Sequence, residues 1–571
     1  MGILSAKVTI STPIVKNKSS LLISARRTFL DLLIFPLISK AINETDDYQS
    51  KQGYNFHDLN FKYNYKFSKN DRLYFSGFFG KDKIFQSSTY KDYNSSTNIS
   101  AFGLGWSNLV ASMRWNHLFG DKLFSNTTAY YSSYNYYTDA LSKTTYEDPE
   151  INPDVEIKLN YSSLIKDKAL KQDYQYFPND QHLIRMGWGV IFHHFEPGVS
   201  VYKSETGEQT INKTIKDNEV NAIESSIYGE DDFDFGKKIK TNAGIHISAF
   251  FVNDRKYFSL QPRLSARYLL NRQLTLKLGY ARMTQYMHLL TSSRIVQSTD
   301  LWVPSTNKIR PQRSSQVSIG SAFAPSDAYQ LEIDAYYKKM NNLIEYVDGA
   351  SFLSTSTSNW ESKTTSGKGT SYGIELFLKK KTGKLTGWVS YTLSWANRTF
   401  ENINFGKPFP FRYDRRHDIA VVTSYQISKK WTLNASWIYN SGNAVTVPLT
   451  AYVAPGYDGQ FHSWGGIISN NTNFDIGQQL TTNGIIENTV ARNNYRLQPY
   501  HRLDITFSRK KIRKHSERVL TLGIINAYNR LNPSFYQKSG DIDYNTNKVS
   551  IKYNSITLFP IMPTISYRIS F

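Results

Sequence analysis

Two stretches of this 571-residue chain place cations and carboxylates at a spacing of two. Arg412, Asp414, Arg416 and Asp418 form one set, and Arg502 with Asp504 repeats the step. Residues two apart in an extended strand share a face, so each set lines one surface. There it can pair across strands or grip a ligand through charge-assisted hydrogen bonds. An ordinary solvated wall would carry the same residues. The other chemistry on offer is aromatic. Tyr457, Phe461 and Trp464 stand among Gly and Asn in the long stretch 441–494, with Trp302 and Trp360 in two other polar stretches. Rings on such loops stack on sugars or a flat chelate, or fold against one another.

Catalytic sets are not legible. There is no Cys, hence no thiolate nucleophile or thiolate metal site. No Gly-rich phosphate loop and no His-Glu-x-x-His helix occurs. His193 and His194 are adjacent, so a strand would point them to opposite faces and keep them from sharing a metal. We expect no enzyme activity, no metal and no cofactor.

The elements that position these residues follow a period of two. In 386–396, Val389, Tyr391, Leu393 and Trp395 alternate with Trp388, Ser390, Thr392 and Ser394. Leu331, Ile333, Ala335 and Tyr337 do the same around Glu332 and Asp334, and the chain closes on Ile565, Tyr567, Ile569 and Phe571. An apolar outside and a polar inside is the pattern of a membrane-spanning β-barrel strand. A soluble two-sheet sandwich also alternates, but segments of ten or more residues and one-sided turns favour the barrel.

Composition agrees. No run of eighteen apolar residues exists, so membrane helices are excluded. Mean hydropathy is −0.47, which a barrel tolerates because its lumen and loops are polar. Aromatics reach 15%, with 40 Tyr, rings that favour bilayer interfaces. The net charge of +21 is scattered through turns, unlike the stripe of a nucleic-acid binder. It suits contact with anionic ligands or lipopolysaccharide phosphates.

Short turns (15–18, 69–71, 120–122, 178–180, 236–238, 271–273, 325–327, 381–384, 428–430 and 510–518) alternate with long connections at 33–55, 83–99, 138–154, 196–218, 284–313, 339–369, 397–411, 441–494 and 530–555. Short periplasmic turns and long extracellular loops mark outer-membrane barrels. The count is about twenty-one strands, whereas closed antiparallel bacterial barrels of one chain need an even number. We therefore expect one strand before Met1. The pair Arg26-Arg27 before Leu32-Leu-Ile-Phe-Pro36 mimics an export signal, but Pro36 interrupts its apolar core; we read a strand from Ser19 to about Leu32 instead.

Several stretches then resemble TonB-dependent receptor barrels of the Bacteroidetes type. They include Gly2–Ile14, Leu22–Asp31, Asp300–Thr306 with Pro311-Gln312, Pro408–Asp418, Trp437–Ala444, Tyr500–Asp504 and Asn526–Pro533. The resemblance implies an all-β, 22-stranded outer-membrane barrel in a Gram-negative bacterium. It also implies a plug domain and a TonB-contacting segment, neither of which is recognisable here. We expect 1–571 to be the barrel domain alone, without plug, signal peptide or first strand. The family would take up a scarce solute: a ferric siderophore, haem, cobalamin or an oligosaccharide. A passive porin-like channel or a surface adhesin is the alternative. By the same resemblance, the arginine–aspartate sets would dock the plug and line the ligand path, and the aromatic C-terminal strand would signal to the barrel-assembly machinery. Deleting Phe571 should therefore lower the outer-membrane level of the protein several-fold. Normal levels of the deletion on a membrane-fraction blot would contradict it.

Overall fold

A computed structural model describes residues 5–29, 31–32, 36, 47–92, 96–150, 153–207, 209–216, 219–291, 301–348, 350, 360–453, 485–513, 516–543, 548–557 and 560–570. Most of the alternating sequence becomes strand. The first seven spanning strands are β1 (Ser5–Val15), β2 (Ser19–Thr28), β3 (Tyr48–Lys66), β4 (Asp71–Asp92), β5 (Ser96–Leu118), β6 (Leu123–Tyr146) and β7 (Val155–Asn179). The next seven are β8 (His182–Thr206), β9 (Val220–Phe235), β10 (Ile239–Val252), β11 (Arg255–Leu269), β12 (Leu274–Gln285), β13 (Gln312–Ser326) and β14 (Tyr329–Tyr346). The last are β15 (Thr364–Lys380), β16 (Leu385–Phe400), β17 (His417–Gln426), β18 (Trp431–Asn440), β19 (Tyr500–Arg513), β20 (Ser516–Ile525) and β21 (Met562–Ser570).

Each strand is antiparallel to the one before it. With two short additions, Gln209–Lys216 and Phe409–Pro410, they make one 23-stranded sheet among the described residues. The strand tally of the sequence reading is thus met. Among the described residues β1 pairs only with β2 and β21 only with β20. By the alternation these two edges run in the same direction.

The tight turns owe their shape to one device used four times. A side-chain oxygen two or three residues back accepts backbone N–H groups at the restart of the strand. Ser68 Oγ takes Asn70 and Asp71, both at 3.0 Å. Asn179 Oδ1 takes Gln181 and His182 at 2.9 and 3.2 Å. Asn271 Oδ1 takes Gln273 and Leu274 at 2.8 and 2.9 Å, and Ser428 Oγ takes Lys430 and Trp431 at 3.3 and 3.2 Å. Asx and Ser/Thr turns of this kind free the chain to reverse without a long loop.

Parity holds on the outer wall. Ile333, Tyr337, Val389, Ile565, Tyr567 and Ile569 are all exposed. Aromatic girdles frame this face: Trp431 meets Phe507 at the short-turn end, while Tyr439 stacks on His501 and Tyr372 on Trp395 at the other. Trp431 and Tyr439 lie eight residues apart on β18, which suits an apolar band about 25 Å tall crossed by tilted strands. Phe571 lies outside the described residues.

Three expected loops are largely strand, and a fourth is strand at its end. β3 starts at Tyr48, β4 and β5 run through most of 83–99, β6 continues to Tyr146, and β8 with Gln209–Lys216 occupies most of 196–218. β7 and β8 each reach 25 residues, far beyond the 9–11 that a bilayer needs. Beyond the membrane both faces are wet, so the apolar alternation fades while the ladder continues. In the other direction, β2 stops at Thr28, short of the expected Leu32.

The inner wall carries ion pairs that skip a strand. Lys277 on β12 reaches Glu332 at 2.8 Å and Asp334 at 2.9 Å on β14. The strand between offers Gly320, opposite both Lys277 and Asp334. A Cβ there would sit 1.9 Å from the Asp334 carboxylate. Gly320→Val should therefore break the bridge and overpack the wall, costing about 1–3 kcal/mol. The check is the temperature at which the folded form is lost in a heat-modifiability gel; an unchanged midpoint would refute it.

Candidate functional site

The first charged set does not lie along a strand. Residues 411–416 form a turn ahead of β17, closed by Asp414 N–H donating to Phe411 O at 2.8 Å. Arg412 and Asp414 are buried in it. Asp414 Oδ1 accepts the Ala396 N–H at 2.7 Å, and its other oxygen meets Arg416 at 3.2 Å and Arg496. Arg416 also lies over the Trp395 ring at 4.6 Å. The alternation of Arg and Asp imitated a strand, but the carboxylate is used to pin a loop base. Asp418 is within β17, opposite Thr392 and Asn440 on the inner face as expected. Arg502 and Asp504 pair with each other at 2.8 Å on β19, and Asp504 also accepts the Asn526 N–H at 3.0 Å. The structure thus keeps the two sets separate.

Beside Asp414 lies a cluster that sequence reading missed. Glu345, 3% exposed, holds Arg398 at 2.8 Å and Arg492 at 3.3 Å, and Arg492 also reaches Asp348 at 2.9 Å. Arg398 packs over Phe411 at 3.5 Å. Asn493 donates to Pro410 O at 2.8 Å, and the Arg492 N–H donates to Asn404 at 3.0 Å. Four loop bases (about 341–348, 397–416, 441–449 and 488–499) are thereby tied together. The only sequence signal was the pair Arg492 and Arg496 flanking Asn493-Asn494-Tyr495 in a polar stretch.

The expected 284–313 loop instead folds back as a hairpin, Met287–Leu290 against Leu301–Pro304. Leu290, Leu301 and Val303 share a core with Tyr136 and Tyr161 from β6 and β7, and with Ile344 and Tyr346 from β14. These strands are far apart around the sheet, so the hairpin spans the mouth between two walls. Trp360 is buried in the same core, which makes it a packing residue rather than an open ligand contact. Trp302, opposite Leu289, is half-buried. Tyr457, Phe461 and Trp464 lie outside the described residues. His288 is fully buried, with Ser305 Oγ at 3.1 Å from Nε2 and Gln312 Nε2 at 2.9 Å from Nδ1. Burial alone pushes its pKa down to about 4.

The tall wall of β3 to β6 turns aromatic residues inward above the girdle. Trp106 stands opposite Asp82 and Tyr136, and Tyr54 donates its hydroxyl to Asp82 at 2.9 Å. Arg26 pairs with Asp58 at 2.7 Å and covers Phe56 at 4.6 Å. Rings and charges side by side make a vestibule suited to a flat, polar solute. His193 and His194 do face opposite ways: His193 meets Asp167 at 2.8 Å, His194 meets Asn221 at 2.9 Å.

A family model described as TonB dependent receptor-like, beta-barrel, matches residues 37–529. The chain belongs to that family. No curated protein matches its sequence. Among solved structures, the Escherichia coli K12 ferric-catecholate import receptor Fiu aligns over 100% of this chain and 81% of its own, at 10% identity and a TM-score of 0.54. FpvA of Pseudomonas aeruginosa, solved with pyoverdines, aligns over 99% and 70% at 12% identity and 0.59. The Yersinia pestis ferric yersiniabactin uptake receptor FyuA aligns over 100% and 79% at 11% and 0.58. At such identities the likeness speaks for the fold.

TonB-dependent receptor barrels are outer-membrane proteins of Gram-negative bacteria. The hairpin sits at the tall end of the wall, and His288 gives it a pH dependence. Its folded pKa lies below the usual 6.5, so the unfolded hairpin binds the proton more readily. The hairpin's stability is full above about pH 6.5 and falls as the pH drops toward 4. Limited proteolysis between 286 and 306 should accelerate over that window, and His288→Gln should flatten the response. A wild-type profile without a step there would contradict the assignment.

Proposed function

We propose that this chain is the barrel of a receptor that takes up a scarce solute across the outer membrane. TonB would act through a plug domain seated in the lumen. The observation that carries the reading is the inward aromatic and charged vestibule of Tyr54, Phe56, Asp82 and Trp106, standing above a girdled barrel and beside a hairpin across its mouth. Rings beside charges favour a flat or anionic chelate, so a ferric siderophore heads the list, ahead of haem, cobalamin or an oligosaccharide. Fiu and FyuA, named for ferric ligands, share the fold.

Roles follow for the charged sets. Asp418, Arg502 and Asp504 on the inner wall would contact the plug. Arg412, Asp414 and Arg416 would hold the loop bases around the bound solute. Trp302 would reach that solute from the hairpin, and Tyr457, Phe461 and Trp464 from their loop. A strand running opposite to β1 and β21 would satisfy both free edges and complete the wall. Ile565, Tyr567, Ile569 and Phe571 would be read by the barrel-assembly machinery, and the outer girdle would meet lipopolysaccharide.

The test is equilibrium binding of a panel of ferric chelates, haem, cobalamin and oligosaccharides to the purified protein. One class should bind, and Trp106→Ala should weaken it about tenfold, the value of one aromatic stacking contact of 0.5–1.5 kcal/mol at its upper end. Binding of none of them, together with large conductance in planar bilayers, would replace this reading with a passive channel.

A further inference from the structure

We propose that the inner wall formed by β3, β4 and β5, toward the short-turn end, holds a binding site for a small polyvalent anion. The ring of Tyr74 is its centre, and Lys62, Arg72 and Arg114 are its ligands. This site does not depend on the uptake reading.

Ladder register brings the four residues together. Tyr74 stands opposite Asn64 on one side and Arg114 on the other, with Lys62 and Arg72 two residues from Asn64 and Tyr74 in sequence. All share the inner face. Around the Tyr74 ring centroid the cations lie at 4.6 Å (Arg114), 5.3 Å (Arg72) and 6.0 Å (Lys62). Lys66 faces Arg72 directly, and Lys171 lies beyond Thr128 in the row of Arg114.

No carboxylate pairs with Lys62, Arg72 or Arg114 among the described residues. Arg72 donates to Asn64 at 2.8 Å, a neutral partner. Two inner-wall cations elsewhere follow the opposite rule. Arg185 is bracketed by Glu230 and Asp232, and Lys277 by Glu332 and Asp334. Like charges opposite one another destabilise a sheet, and the face of one tyrosine ring answers them only weakly. Among the described residues, what the patch lacks is a counter-charge.

Geometry selects the kind of anion. Two guanidinium forks and one ammonium lie within 4.6–6.0 Å of the centre of one ring. Forked N–H groups match the paired oxygens of phosphate or carboxylate. The three side chains are exposed to the lumen, so an anion reaches them without unfolding the wall. A compact di- or trivalent ion satisfies these three charges, whereas an extended acidic peptide would run across several strands, with Lys66 opposite Arg72 and Lys171 beyond Thr128 as further cations.

Isothermal titration of the purified 571-residue protein with inorganic pyrophosphate tests the site. Binding should be saturable, weaken at least tenfold in Arg72→Gln/Arg114→Gln, and stay unchanged in Lys69→Gln, a turn residue. On unmutated protein, pyrophosphate should protect Arg72 and Arg114 from phenylglyoxal, as mapped by mass spectrometry, which keeps the test sound if the double variant does not fold. Three results would overturn the proposal: no saturable binding, no protection of these two arginines, or capture of a hexaglutamate peptide that pyrophosphate does not displace.

Discussion

The described structure depends on one ladder of backbone hydrogen bonds that runs from β1 to β21. Inside a bilayer no water is available to an unpaired N–H or C=O, so a strand can cross only if both neighbours take up its peptide groups. That requirement fixes the antiparallel order from β1 to β21, and with it the alternation of faces. Once faces are fixed, Trp431 and Tyr439 must look outward while Lys277 and Glu332 look inward. The ladder does not stop at the membrane surface. It carries β7 and β8, 25 residues each, well beyond the length a bilayer needs, and this turns a hydrogen-bond rule into a tall wall.

The same rule explains what could be read from residues alone. Within the bilayer each strand has one dry face, so Val389, Leu393, Ile565 and Ile569 betray their register, and polar turns such as Asn271-Arg-Gln273 mark its ends. Strand number and face assignment follow. Outside the bilayer the dry face disappears. Residues 83–92 and 138–146 hold their strands by pairing alone, and polar sequence there looks like loop. Composition could not separate a solvated strand from a solvated loop.

At the site, legibility failed for a different reason. Arg412, Asp414 and Arg416 alternate like strand residues, yet Pro408 and Pro410 precede them and the Asp414 carboxylate caps the Ala396 N–H. A local turn won over a local pattern. Glu345, Arg398, Arg492 and Arg496 were invisible because their meeting depends on four loops converging, at separations of up to 147 residues. Asp418, Arg502 and Asp504 were legible because they sit inside regular strands.

Charge is then put to three distinct uses. On the wall of β8 to β14, acids bracket Arg185 and Lys277. At the loop bases, Glu345 is buried between two arginines. Such a cluster contributes little net stability, because desolvation offsets the attraction, but removing one partner strands the others without water. It therefore specifies how the loops meet more than how firmly they hold. Around Tyr74 the cations have no acid partner among the described residues. That patch is thus electrostatically open where the bridges of Arg185 and Lys277 are closed, so charge is distributed asymmetrically around the inner wall. That asymmetry comes from which residues occupy the inward positions, since the backbone ladder treats both walls alike.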